Sequence, residues 1–215
     1  MSPTCELEME LFANGSTFVV GMDEVGRGAG AGPVVVGAAS LTRDGLKRIP
    51  RDLNDSKRLS AKERKSVAEE LFVTLNDYAV GYASPREIDQ RGLSTALSLA
   101  GHRALIALRS PIDAILLDGN FNFLGLTTSN LYNDLPGPRF EEVPVQLVVS
   151  GDSKCVSIAS ASVISKVLRD KDMVELAEAF PEYGWATNKG YMTESHRLAI
   201  SRFGLSPHHR KSWKI

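Results

Sequence analysis

Four carboxylates in this chain stand where chemistry could be done. Asp23 and Glu24 follow the run Ser16-Thr17-Phe18-Val19-Val20, which reads as a strand opened by the turn Asn14-Gly15. Asp118 ends the run Asp113-Ala114-Ile115-Leu116-Leu117, and Asp152 comes just after Val145-Gln146-Leu147-Val148-Val149. Strand ends of open α/β sheets are where sites are built. Carboxylates brought together there repel one another, so a divalent cation is their natural counterion. An all-oxygen set without a His or Cys cluster selects Mg²⁺ or Mn²⁺ over zinc. Two such ions about 3.5–4 Å apart are a standard arrangement for cutting a phosphodiester with water. Each acid also has a plainer reading: solvated charges on a tight turn for Asp23-Glu24, a turn for Asp118-Gly119, and a helix cap for Asp152-Ser153.

Behind the first acid pair lies Gly26-Arg27-Gly28-Ala29-Gly30-Ala31-Gly32-Pro33. Glycines let the backbone pass close to a ligand, since no Cβ blocks the approach. Bare backbone and one Arg beside an acid pair could hold a phosphate next to a metal. The segment is not a dinucleotide fingerprint, because the third glycine position falls on Ala31 or Pro33; nor is it a Walker A loop, which needs a following Lys.

The elements that must position these residues read as a mixed α/β sheet of five strands flanked by helices. Val34 to Ala39 is a second strand, antiparallel to the first, and Tyr78 to Ala83 a third. Ser60 and Glu63 form a capping box that opens a helix through about Phe72. Ser84-Pro85-Arg86-Glu87 starts a short helix broken by Gly92, and Ser94 caps a longer one to about Arg109. His102 on that helix reads as a surface or core-rim residue. Phe121 to Val143 reads as a surface excursion. A helix runs from about Ser157 to Ala179, and its small residues Ser157, Ala159, Ser160, Ala161 and Ser162 require something to pack close. Thr193 to Phe203 is a final helix, and residues 1–14 are a short polar lead-in.

The 215 residues suit one compact domain, able to bury roughly 70% of its unfolded surface. Cys5 and Cys155 form no C-x-x-C and no disulfide framework, which fits a reducing, cytoplasmic compartment. No basic n-region opens the chain, so no secretory signal is expected, and no apolar run approaches the ~20 residues of a membrane span. The net charge of -1 hides an asymmetry. From residue 185 to 215 the basic residues Lys189, Arg197, Arg202, Arg210, Lys211 and Lys214 face the single acid Glu194. Such a segment suggests an anionic partner; a solvated helix face is the plainer alternative.

Asp23-Glu24-Val25-Gly26-Arg27-Gly28, Asn54-Asp55-Ser56-Lys57, Asp118-Gly119-Asn120, Gly151-Asp152-Ser153, the run Ser157 to Asp170, Lys189-Gly190-Tyr191 and His208-His209-Arg210-Lys211-Ser212 together closely resemble bacterial ribonuclease HII, the type 2 ribonuclease H. The resemblance spans Val19 to Trp213, and the motifs in this order are very specific. It implies a ribonuclease H-like fold in a single catalytic domain over residues 1–215. The implied substrates are RNA–DNA hybrids and duplex DNA containing a single ribonucleotide, cut to leave 3′-hydroxyl and 5′-phosphate ends. It implies Asp23, Glu24, Asp118 and Asp152 as catalytic metal ligands for Mg²⁺ or Mn²⁺. By the same matches Gly26, Arg27 and Gly28 read the ribose 2′-hydroxyl, Lys57 binds substrate, and Tyr191 senses the following deoxyribose. A monomer is expected, with no membrane partner and no clamp-binding tail. Asp170 competes with Asp152 as fourth ligand; a helix would carry Asp170 ~20 Å from its start, and Asp152 is chosen. A nucleic-acid-binding protein without catalysis would share the basic segment but leave the strand-end acids unexplained. Another metal-dependent nuclease of the same fold class would leave the glycine loop and Tyr191 unexplained.

Overall fold

A computed structural model describes residues 2–126, 135, 138 and 140–213. Five strands, β1 Val19–Val25, β2 Val34–Leu41, β3 Asp77–Ala83, β4 Ala114–Asp118 and β5 Val145–Val148, form one mixed sheet in the order β3-β2-β1-β4-β5. β1 to β3 are antiparallel neighbours; β4 runs parallel to β1, and β5 parallel to β4. The expected five-stranded mixed sheet is therefore present. β1 continues through Asp23 and Glu24 to Val25, so both acids sit at the end of the strand, as expected.

Among the described residues the α-helices are α1 Glu6–Ala13, α2 Ala61–Thr74, α3 Pro85–Arg91, α4 Leu93–Ala107, α5 Val156–Ala179, α6 Trp185–Asn188 and α7 Glu194–Phe203. Alternation along β1 divides two cores. Val20 and Met22 join Val36, Ile115 and Leu117 beneath α4. Val19, with Leu116, meets Cys155 and Ile158 at the start of α5, and Ala39 and Leu41 meet α2 and α5. The small residues of α5 have the close partners they call for. A Cβ on Gly21 would collide with the backbone of Ser157 and Ile158, and one on Gly37 with the Ala161 carbonyl. Bare strand and small-residue helix thus let backbone approach backbone.

Several elements depart from the sequence reading. Residues 1–14 are not a lead-in: α1 buries Phe12 and Glu8, and Glu8 Oε1 accepts from Ser157 N at 2.9 Å and Ser157 Oγ at 2.6 Å. Glu8 thereby satisfies a donor at the N-terminus of α5, which carries no side-chain cap of its own. Ser94 does not cap α4, which starts one residue earlier, directly after Gly92 at φ 79°. His102 is buried, with Nδ1 2.8 Å from the Ser98 carbonyl. The capping boxes at Ser60–Glu63 and Ser84–Glu87 both close reciprocally. Within the stretch read as a surface excursion, Phe123, Leu124 and Leu135 are core residues packed with α4. Much of that stretch lies outside the described residues.

Candidate active site

The register of β1 against β4 sets Val19 beside Ala114 and Met22 beside Leu117. One step further along lie Asp23 and Asp118, level with each other on strands about 4.8 Å apart. Pleat alternation turns both toward α5, since Met22 and Leu117 face the α4 core. Asp23 accepts a hydrogen bond from the Ser162 side chain of α5, and Ser162 Oγ is 2.9 Å from Ser56 Oγ. Asp118 Oδ1 accepts from Gly151 N at 2.6 Å, tying β4 to the short turn that carries Asp152. Lys57 Nζ donates to Asp152 Oδ2 at 3.1 Å, and Arg27 Nη1 to Glu24 Oε1 at 3.2 Å. Asp152 does not cap α5; its N-cap position belongs to Cys155.

Charge crowding is visible in the titration of these acids. Burial, and next the Asp118 charge, pushes the Asp23 carboxyl well above its ordinary 3.8. Burial raises Asp118, with Asp152 adding repulsion against the lowering effect of the Gly151 N–H. Burial also raises Glu24, although Arg27 pulls the other way. For Lys57, burial acts downward but the Asp152 carboxylate prevails, and its pKa rises. The carboxylates feel one another, yet among the described residues no three His, Cys, Asp or Glu side chains form a ready-made metal cluster. The donor set fits a hard divalent cation: it is all oxygen, partly buried and short of counter-charge.

The connection from β1 to β2, residues 26–33, folds against the segment 189–191. Gly30 N and Ala31 N both donate to the Gly190 carbonyl, at 2.9 and 3.1 Å. A Cβ built on Gly28 would lie 3.9 Å from the Tyr191 ring, so the glycine loop and the tyrosine are neighbours. Tyr191 is 38% exposed, and the Arg169 guanidinium lies 5.8 Å from its ring centroid. The acids, the Gly26–Gly28 stretch and Tyr191 are thus gathered around the ends of β1 and β4, and Lys57 reaches in from the loop before α2. Asp170 is paired with Lys166 Nζ at 2.7 Å one turn earlier on α5.

The layer beneath the loop escapes a reading of the sequence. Arg169 and Arg210 are fully buried, although both stand in runs that look like solvated charge. The spacing Ser162, Ser165, Arg169, Met173 is the available signal, because it continues the buried stripe of α5 at helical period. His196 and His209 are buried as well. His196 Nδ1 donates to the Tyr191 carbonyl at 3.0 Å, so its Nε2 must accept, and it does so from Trp185 Nε1 and His209 Nε2, each at 3.1 Å. His209 Nδ1 in turn accepts from Ser206 N at 2.9 Å. Both rings are thus neutral, and burial holds His209 down to about 4. The basic segment is divided accordingly: Arg197, Arg202 and Lys211 are exposed, whereas Arg210 is internal. Lys214 lies outside the described residues.

A mixed sheet in this order, with helices on both faces and acids at adjoining strand ends, defines a hydrolase of the ribonuclease H-like fold. A sequence profile described as ribonuclease HII matches residues 20–215. Ribonuclease HII of Paracoccus denitrificans is 43% identical over 98% of this chain and 91% of its own length; that of Streptomyces avermitilis is 44% identical over 98% and 83%. The crystal structure of ribonuclease H2 from Pyrococcus horikoshii OT3 superposes with a TM-score of 0.73 at 28% identity, covering 92% of this chain and 94% of that one. The chain belongs to the ribonuclease HII family and is a ribonuclease H. Among the described residues no helix is long and apolar enough to cross a membrane.

Proposed function

We propose that this protein, acting as a single catalytic domain and as a monomer in the cytoplasm, hydrolyses the RNA strand of RNA–DNA hybrids and cuts 5′ to single ribonucleotides embedded in duplex DNA. The ends left are a 3′-hydroxyl and a 5′-phosphate. Asp23, Glu24, Asp118 and Asp152 would hold Mg²⁺ or Mn²⁺, as a pair of ions shared among the four carboxylates. Bound there, the ions supply Lewis acidity and an activated water for in-line displacement at phosphorus. The chain's own groups do the rest. Gly26, Arg27 and Gly28 offer bare backbone to the ribose 2′-hydroxyl, the atom that separates RNA from DNA. Lys57 and the exposed Arg197 and Arg202 supply phosphate contacts. Tyr191 offers a flat ring to the sugar after the cut.

The observation that carries this reading is the adjacency of two devices: the strand-end acids Asp23 and Asp118, level in register, and the Gly28–Tyr191 approach at the end of the same strand. The test is cleavage of a duplex DNA containing one ribonucleotide, with Mg²⁺ or Mn²⁺, beside an all-DNA control and a long hybrid. Cutting of the first and third but not the second is expected. Equal cutting of the all-DNA control would sink the proposal.

A further inference from the structure

Arg210 is fully buried, and among the described residues none of its hydrogen bonds goes to a carboxylate. Nη2 donates to the Gly26 carbonyl at 2.7 Å, Nη1 to the Arg27 carbonyl at 3.0 Å and Nε to the Gly32 carbonyl at 3.1 Å. Its own N–H donates to the Gly30 carbonyl at 2.9 Å. Arg169, equally buried, grips the carbonyls of Ala31, Pro33 and Lys189. Among the described residues, every acceptor of these two guanidiniums apart from the Lys189 carbonyl lies in the loop between β1 and β2. A buried charge is costly to keep without a carboxylate partner. Ordinary loop closure does not call for two of them.

The peptide plane shows what the arrangement does. In a trans peptide the C=O and the following N–H point in opposite directions. Drawing the Gly26 and Arg27 carbonyls inward onto Arg210 turns the N–H groups of Arg27 and Gly28 outward. Beyond Gly28 the loop amides are committed: Ala29 N donates to Gly26 O, Gly30 and Ala31 N to Gly190 O, and Gly32 N to His208 O. Among the described residues the Arg27 and Gly28 N–H groups have no acceptor. They are adjacent in the chain and beside the exposed Tyr191 ring.

We propose that Arg210 is a positioning residue for ribonucleotide recognition: through two peptide planes it presents the Arg27 and Gly28 amides as a fixed pair of donors for an oxygen of the substrate ribose. Arg169 completes the clamp by fixing the other half of the loop against the Tyr191 segment. The inference rests on the proposed reading of a ribose-sensing loop. It assigns the rigidity of that reading to a side chain that never touches substrate.

The test is a ratio of affinities. In an Asp118→Asn background, which blocks cutting, binding is measured to a duplex with one ribonucleotide and to the same duplex in all-DNA form. Arg210→Lys and Arg210→Gln keep a donor but lose the fork. Each should lower the preference for the ribonucleotide duplex on the order of tenfold, as for two neutral hydrogen bonds, while leaving all-DNA affinity in place. A purely structural role would move both affinities together. A preference retained by a folded variant overturns the inference and leaves the proposed function standing; no preference in the protein that keeps Arg210 overturns both. Should neither variant fold by circular dichroism, amide hydrogen exchange on the protein that keeps Arg210 decides. The Arg27 and Gly28 amides should be protected by the ribonucleotide duplex and less by the all-DNA duplex, and equal protection overturns the inference.

Discussion

Lys57 Nζ stands 3.1 Å from Asp152 Oδ2, joining the loop before α2 to the turn before α5. It is a counter-charge set against crowded carboxylates, so Lys57→Ala should destabilise the metal-free protein. The side chain is largely exposed, which limits the loss to under about 1 kcal/mol. In an Asp152→Asn background the loss should disappear. Urea denaturation of the four proteins measures the coupling. An identical cost in both backgrounds would show that the pair contributes nothing to stability.

Asp23→Asn and Asp118→Asn should abolish cleavage while leaving hybrid binding measurable, since each removes a metal ligand but little phosphate-binding surface. Their effect on the metal-free fold should be opposite in sign to that of Lys57→Ala. The folded pKa of Asp23 is raised, so its contribution to stability is present below the unfolded value of 3.8 and is lost as pH rises through the folded value. The asparagine variant escapes that loss, and its melting temperature should match or exceed the parent's at neutral pH. Added Mg²⁺ should raise the parent's melting temperature more than either variant's. A marked fall in metal-free melting temperature would make these acids structural.

Much of this site was legible because strand alternation is a period-two signal. Placing Val19, Val20 and Met22 in the sheet already fixes which way Asp23 points, and the same holds for Leu117 and Asp118. What could not be read was burial of charge. Glu6, Glu8 and Glu10 alternate in an eight-residue helix, and nothing local distinguishes Glu8, whose partner Ser157 is 149 positions away. Arg210 likewise looks like part of a basic tail until the Gly26 carbonyl, 184 positions earlier, is seen to meet it.

Glu8→Ala should therefore be costly for so unremarkable a residue. It strips the acceptor from two buried donors of Ser157, at a cost of about 1–3 kcal/mol. Glu8→Gln keeps an acceptor and should cost less. Burial raises the Glu8 pKa above 4.5, so the stability linked to its protonated form is present below that value and fades as pH rises through the folded value. The glutamine variant should gain on the parent over that rise. Thermal melts across that range check both points; a neutral Glu8→Ala would remove its role at the start of α5.

The exposed face of α7 carries Arg197 and Arg202. Replacing both by Ala should weaken binding to RNA–DNA and all-DNA duplexes alike, because phosphate contacts carry no base information. The slope of log affinity against log salt should flatten by about 0.9 for each phosphate no longer neutralised. Binding isotherms at several salt concentrations give both quantities. An unchanged slope would leave these residues as a solvated surface.

Tyr191 offers the sharpest test of junction sensing. Its backbone is fixed: the N–H donates to Asn188 O at 2.9 Å, and the carbonyl accepts from His196 at 3.0 Å. Its ring is partly exposed beside Gly28, and among the described residues its hydroxyl has no hydrogen-bond partner. Tyr191→Phe should therefore keep fold, ring and most activity. Tyr191→Ala loses the flat platform, worth ~1–3 kcal/mol if stacking on a sugar resembles stacking on a base. A ring packed on deoxyribose crowds a 2′-hydroxyl, so the platform matters where DNA follows the cut. The alanine variant should lose more activity on a single embedded ribonucleotide than on a long hybrid, where most cuts are followed by RNA. The comparison is of kcat/KM on the two substrates, after circular dichroism has shown both variants folded. Equal losses on both substrates would mean that Tyr191 supports the loop without sensing the junction.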